Sequence, residues 1–505
     1  MKLPKVARNT TRLQLSVFTS GNAAEEFWYT NVLDKFKDIF EDEGNEFIGK
    51  GPLRIVNVYF NGEKIAAQTP EPVIFTGGIS PALWSPIVSN SAFDVPSIDV
   101  DVTPLLPFLW EHQGLGEQTL ELEVSNGLGE VGITNYTSVN SDWITSANLL
   151  AYEHPDVVGS SGALINVDHQ NRASAIPIAI PFTHSFQQIV NGIFSAQLVS
   201  TLSFKLKGGK ILNTTFSSYS KGEISNIQHY GRDGDSQALV HVGHSSSSFI
   251  ITNNDKPEVP PEPKSALVGV RHHKKHELPF NTIHTINTSY SYPLILSTNL
   301  KHKEIGNEGD YEIEFDVGIV DTKSLEMNFD GKFGHIEVKQ KQNGTSTFFL
   351  SSKGNHGFGS LTAKFKEEVE FGSFKKGLAR RVDAINGTIV HEGIHIGPDG
   401  LKQARVGRYG KHGKHAKHAN HSKHVGARKH QHQKSSILES IRRIVADWKA
   451  CHRHASDPIR ELVATYKQSG FNDKLAGLTD QVISSLIKYK HKGLDYVAAV
   501  KHGQN

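Results

Sequence analysis

Apolar and polar residues alternate along most of the first 400 positions. Leu13, Leu15 and Val17 form one such series, Leu120, Leu122 and Val124 a second, and Tyr311, Ile313, Phe315, Val317 and Ile319 a third. Ile55, Asn57 and Tyr59 alternate with Val56, Val58 and Phe60. Successive strand residues point to opposite faces, so a period of two predicts β-strands with one face in a core. Turn residues such as Asn61-Gly62, Gly77-Gly78 and Asn126-Gly127 separate these segments, as expected for antiparallel strands joined by short loops. The pattern predicts a mainly β fold of two antiparallel sandwich-like or jelly-roll-like domains.

The first domain spans 1–252 and the second 266–400. Between them, NNDKPEVPPEPK holds four prolines, and we read 253–265 as an extended linker. From residue 401 to 434 the chain turns basic and His-rich, with His412, His415, His418, His421 and His424 at every third position. Such composition predicts disorder. Over 435–505 the period becomes helical. Ser436 and Glu439 form a capping box ahead of Ile437, Leu438, Ile441, Ile444, Val445 and Trp448. Asp457-Pro458 and Thr479 then mark the starts of two further helices.

The formal charge of +2 hides an asymmetry, because residues 1–400 carry 33 Lys and Arg against 45 Asp and Glu, whereas 401–434 carry ten basic residues and no acid. An acidic body with a basic tail argues against a nucleic-acid enzyme. The N-terminus MKLPKVARNTTRLQLSVF has no continuous apolar stretch of the kind a signal peptide needs, and no run elsewhere approaches the length of a membrane span. One cysteine, Cys451, excludes an internal disulfide. Asn9, Asn135, Asn213, Asn287, Asn343, Asn386 and Asn420 each open an N-x-Ser/Thr triplet, which points toward the secretory route.

Three stretches carry candidate chemistry. In FDVPSIDVDVTP, residues 93–104, alternation places Ile98, Val100 and Val102 on one face and Asp99 and Asp101 on the other, with Asp94 just ahead. Two carboxylates on one face can push each other's pKa apart and so supply an acid and a base. Aspartates on the wet face of an edge strand would read the same way. EEFWYTNV sets Glu25 and Glu26 beside Trp28 and Tyr29, and ISPALWSP adds Trp84. Aromatic faces next to polar acceptors suit sugar rings, and equally suit core packing. HEGIH, residues 391–395, matches a zinc-protease signature, but Gly393 and the surrounding Ile389, Val390, Ile394 and Ile396 favour a strand over the helix that signature requires. The His-rich segment offers imidazoles for weak binding of a divalent metal.

In order along the chain, EEFWYTNV, GPLRIVNVYFNGEKIA, PVIFTGGISPALWSPIV, AFDVPSIDVDVTPLLPFL, LEVSN and DWITSANLLAY resemble the peptide-N4-(N-acetyl-β-glucosaminyl)asparagine amidase A family, with SYSYPLIL and RRVDAINGTIV resembling its later segments. The similarity covers about residues 10–396. It implies a β-sandwich or jelly-roll fold and hydrolysis of the amide joining N-acetylglucosamine to asparagine. The intact N-glycan would leave an N-glycopeptide or denatured glycoprotein, and the asparagine would become aspartate. The family is vacuolar or secreted, works at mildly acidic pH and needs no metal or other cofactor. It also carries strands upstream of the segment matching 11–20, so the first domain is expected to be N-terminally incomplete.

The same resemblance makes Glu26, Asp94, Asp99 and Asp101 the candidate catalytic carboxylates, and Glu25, Trp28, Tyr29 and Trp84 the candidate substrate contacts. Asp99 or Asp101 would activate water, Glu26 would hold the amide or donate a proton, and Trp28 and Trp84 would stack on the chitobiose. A non-catalytic glycan-binding module and a secreted interaction or metal-sequestering protein acting through its histidine repeats remain the alternatives.

Overall fold

The computed structural model describes residues 3, 5–111, 118–180, 184–255, 282–302, 310–329, 331–351, 354–397 and 403–405. In chain order the strands are β1 (Thr10–Gly21), β2 (Ile55–Phe60), β3 (Glu63–Gln68), β4 (Ser97–Asp101), β5 (Leu120–Ser125), β6 (Trp143–Glu153), β7 (Val157–Ile180), β8 (Ser185–Leu206), β9 (Ile211–Gly231), β10 (Ser236–Asn253), β11 (Thr282–His302), β12 (Tyr311–Phe329), β13 (Lys332–Leu350), β14 (His356–Phe371), β15 (Phe374–Ile385), β16 (Thr388–Gly397) and β17 (Gln403–Arg405). Among the described residues helix is limited to α1 (Leu106–Glu111) and short 3₁₀ turns, of which Ala23–Glu25 and Trp28–Thr30 matter below.

The mainly β, antiparallel architecture is as the alternation predicts. Strands β7 to β17 form one large sheet in sequence order, while β4-β1-β6 and β3-β2-β5 form two small ones. Strand β3 packs across β8 and β9. Leu13, Leu15 and Val17 are buried together with Val56, Val58, Ile98, Val100, Leu198 and Leu202. Burial of each such side chain contributes roughly 1.5–3 kcal/mol. Asn61 and Gly62, both at positive φ, turn β2 into β3, the geometry that a two-residue hairpin loop favours.

Strands from both predicted domains share the large sheet. Strands β10 and β11 pair along their lengths, with Leu239 opposite Leu296 and Ser245 opposite Tyr290. The large sheet therefore joins strands from either side of the predicted linker. The physical reason is that Tyr292, Leu294 and Leu296 of β11 and Val317 and Ile319 of β12 continue the core begun by Trp28, Tyr29, Phe186 and Leu239. HEGIH lies in β16 and is a strand, as its β-branched neighbours predict. Residues 256–281, the histidine repeat and the expected C-terminal helices lie outside the described residues, as does Cys451. Among the described residues no helix is long and apolar enough to cross a membrane.

Candidate active site

A cleft of about 400 Å³ opens where the large sheet meets β3 and β4. Its floor comes from β10, β11 and β12. Antiparallel register places Ser245 opposite Tyr290, and Tyr290 opposite Lys323. Alternation along β12 then puts Asp321 and Lys323 on the face that also carries the buried Val317 and Ile319. Charged residues on an apolar face are costly unless paired or used.

Glu71 enters from the other side, two residues beyond Thr69 on the segment that leaves β3. That segment is fixed tightly: the Thr69 N–H donates to Ser245 Oγ at 3.1 Å, and the Tyr290 hydroxyl donates to the Thr69 carbonyl. Gly222 of β9 makes the approach feasible, since a Cβ there would come within 2.5 Å of the Thr69 nitrogen. Pro70 and Pro72 flank Glu71 and restrict its backbone further.

Lys323 Nζ lies 2.9 Å from Glu71 Oε2 and 3.9 Å from Asp321 Oδ2. Asp321 is only 1% exposed, and neither of its oxygens has a hydrogen-bond partner among the described residues. Burial, and then the charge of Glu71, push its carboxyl up to about 7 against the pull of Lys323. Burial likewise raises Glu71, again opposed by Lys323. For Lys323, burial favours the neutral amine, but Glu71, Asp321 and Asp94 outweigh it and raise its pKa. Two carboxylates beside one ammonium titrate as a coupled set and not as independent groups.

The remaining walls suit a hydroxylated ligand. Gln68, Ser97, Ser246, Ser247, Ser289 and Ser324 offer donors and acceptors, while Leu325, Ile336 and Val338 form an apolar side. Among the described residues no group of three or more His, Cys, Asp or Glu is placed to hold a metal ion.

The carboxylates predicted from sequence are distributed unevenly around this cleft. Asp99 lines it, accepting hydrogen bonds from Ser16 Oγ at 2.5 Å and Ser97 Oγ at 3.1 Å. Asp94 is exposed on the preceding loop and acts on Lys323 through its charge. Asp101 shares a face with Asp99 but is tied to Arg12 Nε at 2.7 Å and to the Thr103 N–H at 3.0 Å. Burial raises its pKa against those contacts, and Asp99 is not among the causes. The two aspartates thus sit in separate environments. Glu26 is half-buried beside the core, and its charge reaches the Tyr29 phenol.

Glu25, Trp28, Tyr29 and Trp84 are not in the cleft wall. Trp28, 2% exposed, packs edge-on to Tyr29 and His241 with centroids 5.7 and 5.2 Å away. The Trp84 indole is buried and donates to the Gly78 carbonyl at 2.7 Å. Both rings belong to the core shared with Leu294, Val317 and Ile319 of the large sheet. Glu25 is fully buried against Arg54. Burial alone would raise its pKa, but Arg54, the Asn140 N–H and the Trp143 indole together lower it.

Sequence reasoning missed Glu71, Asp321 and Lys323. Their signals were modest: a carboxylate clamped between prolines, and an Asp-x-Lys pair continuing the apolar face of Val317 and Ile319.

Comparison with known proteins adds to this geometry. Residues 1–170 match the model of the family described as Peptide N-acetyl-beta-D-glucosaminyl asparaginase amidase A. The chain resembles the amidase A family. Peptide-N4-(N-acetyl-beta-glucosaminyl)asparagine amidase A of Prunus dulcis is 27% identical over 326 residues, which cover 63% of this chain and 48% of that protein. The chain therefore spans about half the length of the curated amidase A that it matches. No solved structure matches. In this amidase A-like chain, Asp94, Asp99 and Glu71 fall inside the family match, whereas Asp321 and Lys323 lie beyond residue 170.

Proposed function

We propose that the chain hydrolyses the amide between N-acetylglucosamine and asparagine in N-glycopeptides or denatured glycoproteins, releasing the glycan and leaving aspartate. The observation that carries this reading is the cleft itself, where hydroxyl-rich walls meet the Glu71, Lys323 and Asp321 cluster with Asp99 on the same surface. A side-chain amide is a weak electrophile with a poor leaving group, so it needs an activated water, a stabilised oxyanion and a protonated nitrogen. Carboxylates with raised pKa provide proton transfer at mildly acidic pH, and an ammonium provides charge for the oxyanion.

Asp99 is suited to orient the sugar or the water, being held by Ser16 and Ser97 with its carboxylate toward the cleft. Asp94 and Glu26 act at a distance, on Lys323 and Tyr29 respectively. Leu325, Ile336 and Val338 supply the apolar surface that the tryptophans do not. The same reading makes the protein vacuolar or secreted, and the exposed asparagines Asn135 and Asn386, each opening a glycosylation triplet, support passage through that route.

Incubation of the purified chain with a short N-glycopeptide near pH 5 tests the proposal. Mass spectrometry is expected to show free glycan and a peptide carrying aspartate in place of asparagine. Binding of the glycopeptide without turnover would leave a glycan-binding module as the function.

A further inference from the structure

Asp321 is buried behind the cleft wall, whereas Glu71 and Lys323 form part of that wall. Only one of the two carboxylates can therefore touch a ligand. Lys323 bridges them, 2.9 Å from the first and 3.9 Å from the second. The groups that face them belong to several elements: Tyr290 and Tyr292 from β11, with Tyr29 of the 3₁₀ turn behind Tyr292, and Asp94 and Asp99 from the β4 side. The buried Tyr29 and Tyr292 hydroxyls, like the Asp321 oxygens, have no hydrogen-bond partner among the described residues. Among the described residues Lys323 is thus the one cation in this constellation.

Resting on the amidase reading above, we infer that Glu71 is the catalytic acid–base of the cleft, and that Asp321 is a positioning residue that stores the proton Glu71 must lack to begin the reaction. With the proton on Asp321, Glu71 is an ionised base held by Lys323. The water oxygen bonds to the amide carbon while Glu71 takes one of the water's protons, and the carbonyl oxygen becomes an oxyanion facing Lys323. Glu71 then passes that proton to the nitrogen as the C–N bond breaks, the bonding electrons leaving with nitrogen. The products are a side-chain carboxylic acid, which ionises into solvent, and a glycosylamine. One carboxylate serves as base and then acid, so Glu71 returns to its starting state without a second cleft-facing acid.

Two measurements on the full chain test this. In steady-state hydrolysis of an N-glycopeptide between pH 4 and 8, Glu71→Gln is expected to lower kcat about a thousandfold with little change in KM. Asp321→Asn is expected to move the pH profile and lower kcat about tenfold, and Asp321→Glu to restore the profile. Glu71→Gln within a few-fold of the unmodified chain would overturn the assignment while leaving the amidase reading intact.

Infrared titration without substrate is independent of activity. A protonated carboxyl band titrating near neutrality is expected, lost in Asp321→Asn and shifted in Glu71→Gln. If the chain cleaves no glycopeptide, that band still supports the shared proton and only the substrate reading falls. A band that ignores Glu71→Gln overturns the pairing.

Discussion

Glu25 and Arg54 form a two-pronged ion pair from which water is wholly excluded, both side chains being 0% exposed. Arg54 Nη2 donates to Glu25 Oε1 at 2.6 Å, and Nε donates to Oε2. Asn140 and the Trp143 indole, each at 2.9 Å, complete the shell around the carboxylate. This knot fastens the Ala23–Glu25 turn to the segment entering β2 and to the start of β6.

Removing one partner strands a buried charge, which costs about 3–5 kcal/mol. Glu25→Gln is therefore expected to lower stability by that order and to reduce any activity in parallel with the folded fraction. Thermal denaturation alongside glycopeptide turnover checks this. Loss of turnover in a fully folded variant would instead make Glu25 a substrate contact.

Asp99 and Asp101 should part company on mutation. Asp101→Asn weakens the Arg12 contact of a buried group, at a cost of about 1–3 kcal/mol. Asp99→Asn, half-exposed in the cleft, should change stability by less than about 0.5 kcal/mol and raise KM for glycopeptide. Chemical denaturation and steady-state kinetics of the two variants separate the effects.

Asp321 makes stability depend on pH with a definite sign. Its folded pKa, about 7, lies above the unfolded carboxylate value, so the folded state binds more protons. Its contribution is fully present below the unfolded pKa and is lost as pH rises toward 7. Asp321→Asn is expected to be more stable than the unmodified chain at pH 8, by on the order of 4 kcal/mol, with the gap closing toward pH 4. Denaturant midpoints across that range measure it.

His241 acts in the opposite direction. Complete burial lowers its pKa to about 3, so the unfolded chain takes up a proton that the folded one refuses. Stability falls as pH drops from about 6.5 toward 3. In His241→Gln the acid limb of the stability curve should be shallower by about one proton. An unchanged slope would mean that the imidazole is not buried in its neutral form.

Local pattern was a faithful guide wherever the signal was local. Leu13, Leu15 and Val17 are buried as their spacing predicts, with Leu15 and Val17 paired across the strands with the buried Val100 and Ile98 on the face away from Asp99 and Asp101. The fate of Trp28 was not legible, because EEFWYTNV forms 3₁₀ turns with no strand periodicity and its burial depends on His241, more than 200 positions away. The same holds for Glu71 and Lys323: neither segment hints at the other, and only the register of β10, β11 and β12 brings them together.

That register also sets when the site can exist. Each strand of the large sheet pairs with its neighbour in sequence, so the sheet can grow in the order in which a ribosome delivers it. Glu71 emerges early, yet Lys323 follows about 250 residues later. A nascent chain would carry its cleft-facing carboxylate through about half of the 505 residues without the cation that balances it, and the cleft would be complete only once β12 has docked.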